Sequence, residues 1–243
     1  MAMKVLYEDV FSGCGRAYDN VFCSRNSFSC IKVTGMEDAL GTYLNPGMLS
    51  FQMAVNSEIF VDKSEMIQYL NLLVNTQQRF VGVFRPRRFG KTMAADMICA
   101  YYDREADCRS LFAKRKLAVG MPFRNGEKEI SWDEYLGRFD VIRLVMTKFF
   151  GKKTTAKEAL ARMQLLVIRD IKREYPDIDY FDDEDLVQTI EDVYSSNDRQ
   201  IIIVIDEWDA VFRERKNDKE GQREYLDFLR NLMKDNTTSR WLI

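Results

Sequence analysis

The sequence predicts an α/β fold, with a mainly parallel sheet and helices on both of its faces. Short, strongly apolar segments typical of buried strands alternate with longer segments in which apolar residues recur at helical spacing. This alternation favours parallel pairing, because each helix carries the chain back to the start of the next strand. With 243 residues, 46% of them hydrophobic, the chain is long enough to bury a sizeable core.

Three apolar segments are predicted to form buried strands, at 80–84, 141–146 and 201–205. The last consists only of isoleucine and valine, and such a β-branched run is typical of a strand covered on both faces. A weaker strand is predicted near 29–34. The sequence ends as another apolar run begins at 241–243, and we expect this run to be the start of a strand in a C-terminally truncated chain.

Helices are predicted wherever apolar residues recur every three or four positions. The first should be capped by Ser64 and should pack through Met66 and Leu70. The next should pack through Met93 and Met97, which we interpret as core residues rather than a metal site. The predicted helices span about 64–73, 92–102, 107–112, 132–136, 155–175, 183–194 and 222–234.

The chain divides into a short extension and one larger domain. Residues 1–35 include several Ser, Gly and Asn, contain three of the cysteines and show no sustained periodicity, so we predict an N-terminal extension there. Residues 36–243 carry the alternating pattern. They are predicted to form the main domain, which we expect to be incomplete at its C-terminal end.

The composition excludes several classes of function. There is no histidine, which removes Ser-His-Asp and Cys-His catalysis and any histidine-ligated zinc site. The 5 cysteines do not follow the spacing of a zinc site and favour a reduced, cytoplasmic protein. The net charge of −2 gives no general attraction to nucleic acid, and no apolar run is long enough to span a membrane.

The first candidate functional segment is the basic loop 85–92, Arg-Pro-Arg-Arg-Phe-Gly-Lys-Thr, between a predicted strand and a predicted helix. A triphosphate needs converging backbone N–H groups, a lysine for its outer phosphates and a hydroxyl for its metal ion. Gly90 lets the backbone approach a phosphate, Lys91 can reach the β and γ phosphates, and Thr92 can offer its hydroxyl to Mg²⁺. We call residues 85–92 the phosphate loop.

The phosphate loop departs from the usual pattern G-x-x-x-x-G-K-[ST], because Arg85 stands where the first glycine would be. Pro86 favours an extended backbone at Arg85 and fixes its own φ, so the strand is expected to run on and turn at Pro86. Arg87 and Arg88 add positive charge that a phosphate or a partner could use. The alternative is a basic strand-to-helix turn that contains Gly-Lys-Thr by chance.

The second candidate segment is the pair of acids that follows strand 201–205. Asp206 would lie at the carboxyl end of the strand, where open α/β sheets bind ligands, and could hold Mg²⁺ directly or through water. Glu207 is placed to polarise a water molecule that attacks the γ-phosphate. The alternative is a core strand followed by a solvated acidic loop at 206–209.

Three motifs resemble those of the AAA-ATPase-like family of bacteria and archaea, and they occur along the chain in the same order as in the family. The phosphate loop resembles that of the family, and residues 60–64, Phe-Val-Asp-Lys-Ser, look like the motif that precedes it. Residues 206–209, Asp-Glu-Trp-Asp, are similar to the acidic motif, with Trp208 where the family commonly has tyrosine. The resemblance covers residues 36–243.

The resemblance implies a P-loop NTPase fold of the additional-strand class, in which a strand starting near Arg240 lies between the phosphate-loop strand and the acidic strand. It also implies ATP and Mg²⁺ as ligands, with Asp62 and Lys63 at the border of the nucleotide. The site residues would be Arg87, Arg88, Phe89, Gly90, Lys91 and Thr92 for the nucleotide, Thr92 and Asp206 for the metal, and Glu207 and Lys91 for catalysis.

Three functions follow from these motifs and stay open on the sequence. The first is a domain that binds and hydrolyses ATP. The second is a nucleotide-dependent switch that controls a protein partner or a C-terminal nuclease-like domain of the PD-(D/E)XK superfamily, which family members usually carry. The third is action on nucleic acid, which rests only on that downstream domain, because this chain has no residues to carry nuclease activity.

Overall fold

The computed structural model describes residues 4–6, 43–84, 86, 88–119, 123–125, 128–150, 154–182, 184–234 and 240–242. Among these residues, no helix has both the length and the apolar character needed to cross a membrane. The strands are β1 Lys4–Leu6, β2 Val81–Val83, β3 Phe123–Asn125, β4 Lys128–Ile130, β5 Asp140–Val145, β6 Ile201–Asp206 and β7 Arg240–Leu242. The helices are α1 Leu49–Val55, α2 Glu65–Leu73, α3 Lys91–Tyr102, α4 Arg109–Phe112, α5 Lys116–Val119, α6 Ala156–Glu174, α7 Leu186–Asn197, α8 Ala210–Glu214 and α9 Lys219–Lys234.

The strands β5, β6 and β7 form a parallel sheet. β5 and β6 pair from Asp140 opposite Ile201 to Val145 opposite Asp206. β7 pairs in parallel with the first half of β6, on the side away from β5. β1 and β2 form a second parallel pair, and β3 and β4 form an antiparallel hairpin. The predicted α/β class with mainly parallel strands is therefore confirmed.

Side chains of β5 and β6 alternate between two hydrophobic cores, one on each face of the sheet. On one face, Ile142 and Ile203 pack with buried residues of α6, α7 and α9. On the other face, Val141, Ile202 and Val204 pack with buried residues of α2 and α3. Successive residues of a strand point to opposite faces, so an unbroken apolar run is what a sheet covered on both sides requires.

Two long helices begin at capping residues close to where the sequence predicts them. Before α6, Thr155 and Glu158 form a capping box, in which each side chain accepts a hydrogen bond from the other residue's amide. Before α7, the Asp185 carboxylate accepts hydrogen bonds from the amides of Val187 and Gln188, at 2.7 Å and 3.3 Å.

Two local predictions are wrong. Residues 132–136 form turns rather than a helix, and they end at Gly137, whose φ of 65° is left-handed. Ser64 precedes α2 without capping it, because its backbone is helical, whereas a capping residue is normally extended. Its hydroxyl instead accepts a hydrogen bond from the amide of Leu117 at 2.9 Å. The strand predicted near 29–34 lies outside the described residues.

An arginine links two carboxylates at the amino-terminal end of β5. Asp140, which is fully buried, accepts hydrogen bonds from Arg104, from the Tyr175 hydroxyl and from the Asn45 amide. Arg104 also pairs with Glu174, near the end of α6. Since a buried charge is stable only when it is paired, this network ties α6 and the segment after α3 to the sheet.

Asp103, which directly follows α3, is a buried carboxyl with an altered pKa. Its two oxygens accept hydrogen bonds from the amides of Gly47 and Glu105, at 2.7 Å and 2.9 Å. Burial raises the pKa of this carboxyl to about 6, although the two amide hydrogen bonds oppose the shift. The ionised form is therefore less stable in the folded protein than in the unfolded chain.

We expect Asp103 to make the protein less stable as the pH rises from about 4 to 6. Between the ordinary value of 3.8 and the folded value of about 6, the folded state binds more protons than the unfolded state. The stabilising contribution of the protonated carboxyl is complete below the ordinary value and is lost as the pH passes the folded one. The loss is on the order of 3 kcal/mol.

Urea unfolding of the wild type and of Asp103→Asn, at pH 4 and at pH 7, measures this contribution. The difference between the two proteins should change with pH, because asparagine does not titrate. An unchanged difference across this range would contradict the expectation. Other carboxylates also change the free energy of unfolding with pH. Their effects cancel in the comparison, since both proteins contain them.

Candidate functional site

The phosphate loop enters α3 through left-handed residues. Arg88 and Gly90 both have φ of 69°. The Gly90 carbonyl accepts the amide of Ala94 at 3.0 Å, so α3 begins at Lys91, one residue earlier than predicted. The first amides of a helix have no partner within it and carry the positive end of its dipole. The loop therefore places these N–H groups beside the side chains of Lys91 and Thr92.

A second lysine, Lys63, lies against the phosphate loop. Its Nζ donates a hydrogen bond to the carbonyl of Phe89. The same Nζ would be 2.8 Å from a Cβ built on Gly90. The ammonium group thus lies beside the residue at which the sequence predicts a phosphate to approach the backbone.

Hydrogen bonds hold the segment that carries Lys63. The Asp62 carboxylate accepts from the amides of Ser64 and Lys116, both at 2.9 Å. Burial alone would raise the pKa of Asp62, but these amides hold it below its ordinary value. A charged Asp62 therefore anchors this segment to the start of α5 and leaves Lys63 directed at the phosphate loop.

The acidic segment leaves β6 through a strained residue. Asp206 is only 7% exposed, and its Oδ1 accepts the amide of Glu207 at 3.0 Å. Glu207 has φ of 53°, which is left-handed and uncommon for a residue other than glycine. Its carboxylate pairs with Arg213 of α8 at 3.2 Å. Strained backbone of this kind is often found at functional sites, where the surrounding structure holds it.

A buried arginine connects the acidic strand to the helix after the phosphate loop. Nη2 of Arg143, in β5, lies 3.2 Å from Asp206 and 3.3 Å from Asp96 of α3. Burial raises the pKa of the Asp96 carboxyl, and the Arg143 guanidinium opposes that shift. One arginine side chain thus bridges β5, β6 and α3.

The two candidate segments converge at this bridge. Asp96 follows Thr92 by four residues, so the two side chains lie on the same face of α3. The ring of Phe84, which directly follows β2, lies 6.3 Å from the ring of Trp208, just after the acidic pair. The phosphate loop and the carboxyl end of β6 are therefore neighbours.

The residues at this edge fit a magnesium ion that arrives with a nucleotide. Within the described ranges, no group of three or more carboxylate or thiolate side chains could hold a metal alone. Magnesium commonly binds one or two protein ligands, several waters and the substrate phosphates. Both oxygens of Asp206 already accept one hydrogen bond, and each keeps a second lone pair for water or metal. Thr92, which is exposed, can supply a hydroxyl.

The remaining predicted nucleotide-binding residues differ in their surroundings. Arg88 is exposed, and the Phe89 ring is 57% exposed beside the Lys63 contact. Arg85 and Arg87 lie outside the described residues.

A depression elsewhere on the molecule is unsuited to phosphate. It has a volume of about 970 Å³, lies between α6, α7 and α9, and belongs to the face of the sheet opposite α3. Its lining contains two lysines and a larger number of carboxylates, which would repel a triphosphate. The carboxylates are Asp182, Glu184, Asp185, Glu191, Glu224 and Asp227.

The sequence did not single out Arg143, Asp96 or Arg213. A charged residue inside an otherwise apolar strand indicates a buried ion pair, so Arg143 could have been recognised as needing a carboxylate partner. The partners could not be identified, because they come from a different strand and from α3. Asp96 and Arg213 resemble ordinary polar residues of a helix.

A family model described as Predicted AAA-ATPase matches residues 46–240. The chain therefore belongs to this AAA-ATPase-like family, and the resemblance drawn from the three motifs is confirmed. Membership of a predicted ATPase family is consistent with ATP binding. No curated protein and no solved structure matches the chain.

We expect Gly90→Ala to weaken ATP binding by roughly tenfold or more while the protein stays folded. Alanine is strained at the left-handed φ of 69°, and its Cβ would displace the Lys63 ammonium. The backbone could then no longer approach a phosphate closely. Isothermal titration with ATP measures the affinity.

Gly137→Ala is the matched control for this variant. Gly137 also has a left-handed φ, of 65°, but a Cβ there would make only ordinary contacts. Both substitutions should cost about 1–2 kcal/mol of stability, since both place a side chain in a left-handed conformation. Equal ATP affinities in the two variants would contradict a role for Gly90 in binding.

Proposed function

We propose that this chain is an ATP-binding domain that hydrolyses ATP with the help of Mg²⁺. The observation that carries the proposal is the bridge from Asp96 through Arg143 to Asp206. This bridge joins the helix after the phosphate loop to the end of the acidic strand. Membership of the Predicted AAA-ATPase family supports ATP as the nucleotide.

In this proposal each side chain has a separate task. Lys91 and the first amides of α3 bind the β and γ phosphates, and Lys63 adds positive charge beside Gly90. Thr92 and Asp206 hold Mg²⁺, which would neutralise charge on the phosphates. Glu207 polarises the attacking water and accepts its proton.

We assign the domain to the P-loop NTPase fold of the additional-strand class, with residues 36–243 as the main domain and residues 1–35 as an extension. β7 pairs in parallel with β6 on the side away from β5. This pairing places β7 beside the acidic strand. In the additional-strand class, that position is taken by a strand lying between the acidic strand and the strand that precedes the phosphate loop. The sheet would then present the ends of both strands to one ligand.

A nucleotide-dependent switch is the second candidate, and one observation favours it. Glu207 is paired with Arg213, and Arg213 also contacts Asp209. The Arg213 contact occupies a carboxylate oxygen of Glu207 that would otherwise be available to accept a hydrogen bond from the attacking water. If Arg213 keeps this contact when ATP is bound, hydrolysis would be slow and the bound state would persist.

Equilibrium binding and phosphate release, measured on the same preparation, separate these functions. An ATPase should bind ATP and should release phosphate. The release should require Mg²⁺, so EDTA should stop turnover. A switch should bind ATP tightly with little or no phosphate release. Failure to bind ATP in the presence of Mg²⁺ would overturn both, and GTP as a competitor tests the preference for adenine.

A further inference from the structure

Arg143 is a buried arginine in the middle of an apolar strand. It is 8% exposed, as little as its partner Asp206 at 7%. Its neighbours in β5, Ile142 and Leu144, are completely buried. Placing a guanidinium in such surroundings is unfavourable unless its hydrogen-bonding groups are satisfied. Among the described residues, however, its Nε has no hydrogen-bond partner. Apolar packing alone would have been served better by an aliphatic side chain.

The position of Arg143 relates it to the proposed metal site. Asp206 is the proposed metal ligand on β6, and Asp96 lies one helical turn after Thr92, the proposed ligand on α3. The guanidinium lies between these two carboxylates, at 3.2 Å and 3.3 Å. It therefore places one positive charge in direct contact with both carboxylates. Lys148 also acts electrostatically on Asp96.

A single cation between two carboxylates affects what else can bind there. A free divalent cation approaching Asp206 would be repelled by Arg143, in a buried setting where charges are poorly screened. A divalent cation that arrives with a triphosphate brings its own negative charge, so this repulsion is offset. The hydrogen bond from Nη2 meanwhile fixes the orientation of the Asp206 carboxylate.

We propose that Arg143 is a positioning residue and an internal counter-cation, which orients Asp206 and makes divalent-cation binding conditional on the nucleotide. The inference rests on the proposed function for the role of Asp206. Arg143 lies outside all three motifs, and it would control when the site at Asp206 accepts a metal ion.

The test is a titration with Mn²⁺ alone, followed by electron paramagnetic resonance, on the wild type and on Arg143→Gln. Glutamine keeps a donor for Asp206 but removes the positive charge. Without nucleotide, the wild type should bind Mn²⁺ weakly. The variant should bind it roughly tenfold more tightly or better, because the cation in direct contact with both carboxylates would be gone. Equal Mn²⁺ affinities would overturn the proposal.

Two further variants keep the test decisive if Arg143→Gln is poorly folded. Arg143→Lys keeps the charge, so its Mn²⁺ affinity should stay low, as in the wild type. A lysine makes a point contact and does not hold two carboxylates in fixed geometry, so kcat should fall about tenfold while the KM for ATP stays within about threefold. Wild-type kcat in this variant, or tight Mn²⁺ binding, would overturn the proposal.

Arg104→Gln is the matched control. Arg104 also pairs with more than one carboxylate, namely Asp140, Glu174 and Glu105, but at the amino-terminal end of β5. Its loss should lower Tm without changing Mn²⁺ affinity. A gain in Mn²⁺ affinity in Arg104→Gln equal to that in Arg143→Gln would show that loss of any arginine has this effect, and would overturn the proposal.

The nucleotide-free titration also separates this proposal from the proposed function. If the wild type does not bind ATP, the proposed function fails. The Mn²⁺ affinities of the wild type and Arg143→Gln still decide whether Arg143 controls access of a cation to Asp206.

Discussion

Lys91→Ala should reduce ATP affinity by roughly 100-fold or more, to the point that binding is not detected at micromolar protein. Lys91 is the first residue of α3, and the left-handed Gly90 turns the chain just before it. An ammonium at this position makes charge-assisted hydrogen bonds to the outer phosphates, each of which contributes about 1.5–3 kcal/mol. Alanine removes these bonds, while the N–H groups, Lys63 and the arginines of the phosphate loop remain.

Isothermal titration with ATP and Mg²⁺ measures this loss, and thermal unfolding shows whether the variant is folded. Lys157→Ala is the control, since Lys157 is exposed on α6, and α6 belongs to the core on the opposite face of the sheet. If Lys91→Ala bound ATP as tightly as the wild type, the phosphate loop would not be part of the nucleotide-binding site. A similar loss in Lys157→Ala would mean that the effect reflects general charge rather than a specific contact.

The elements that could be predicted from sequence are those with strong local patterns. β6 is an unbroken β-branched run, and α6 begins at a capping box visible as Thr155 and Glu158. The short α1 and the hairpin of β3 and β4 were not predicted, because three to seven residues carry too little periodicity to distinguish helix from strand.

The candidate site was predictable as two segments but not as a connected arrangement. The phosphate loop and the acidic pair each have a recognisable local sequence, because their chemistry requires particular neighbours along the chain. The contacts that bring them together, through Arg143 and through Phe84 with Trp208, join residues far apart in sequence. Ser64 shows the opposite case, in which a familiar capping residue is used for a tertiary hydrogen bond to Leu117.

Glu207→Gln should lower kcat by on the order of 10²–10³-fold while ATP affinity stays within about threefold of the wild type. Glutamine matches glutamate in size and can still accept a hydrogen bond from Arg213, so the local structure should be kept. It cannot take a proton from the attacking water, which is the task proposed for Glu207. The prediction therefore separates loss of chemistry from loss of binding.

Phosphate release under saturating ATP gives kcat for Glu207→Gln, and equilibrium titration gives its affinity. Asp209→Asn is the matched control, because Asp209 shares the same arginine, with Arg213 Nη1 at 3.2 Å, yet lies three residues beyond the strand end. It should keep kcat within a few-fold of the wild type. If Glu207→Gln turned over normally, the base would have to be another group. If both variants lost activity equally, the effect would come from weakening the ion pairs of Arg213. The control of hydrolysis would then lie in that arginine rather than in the glutamate.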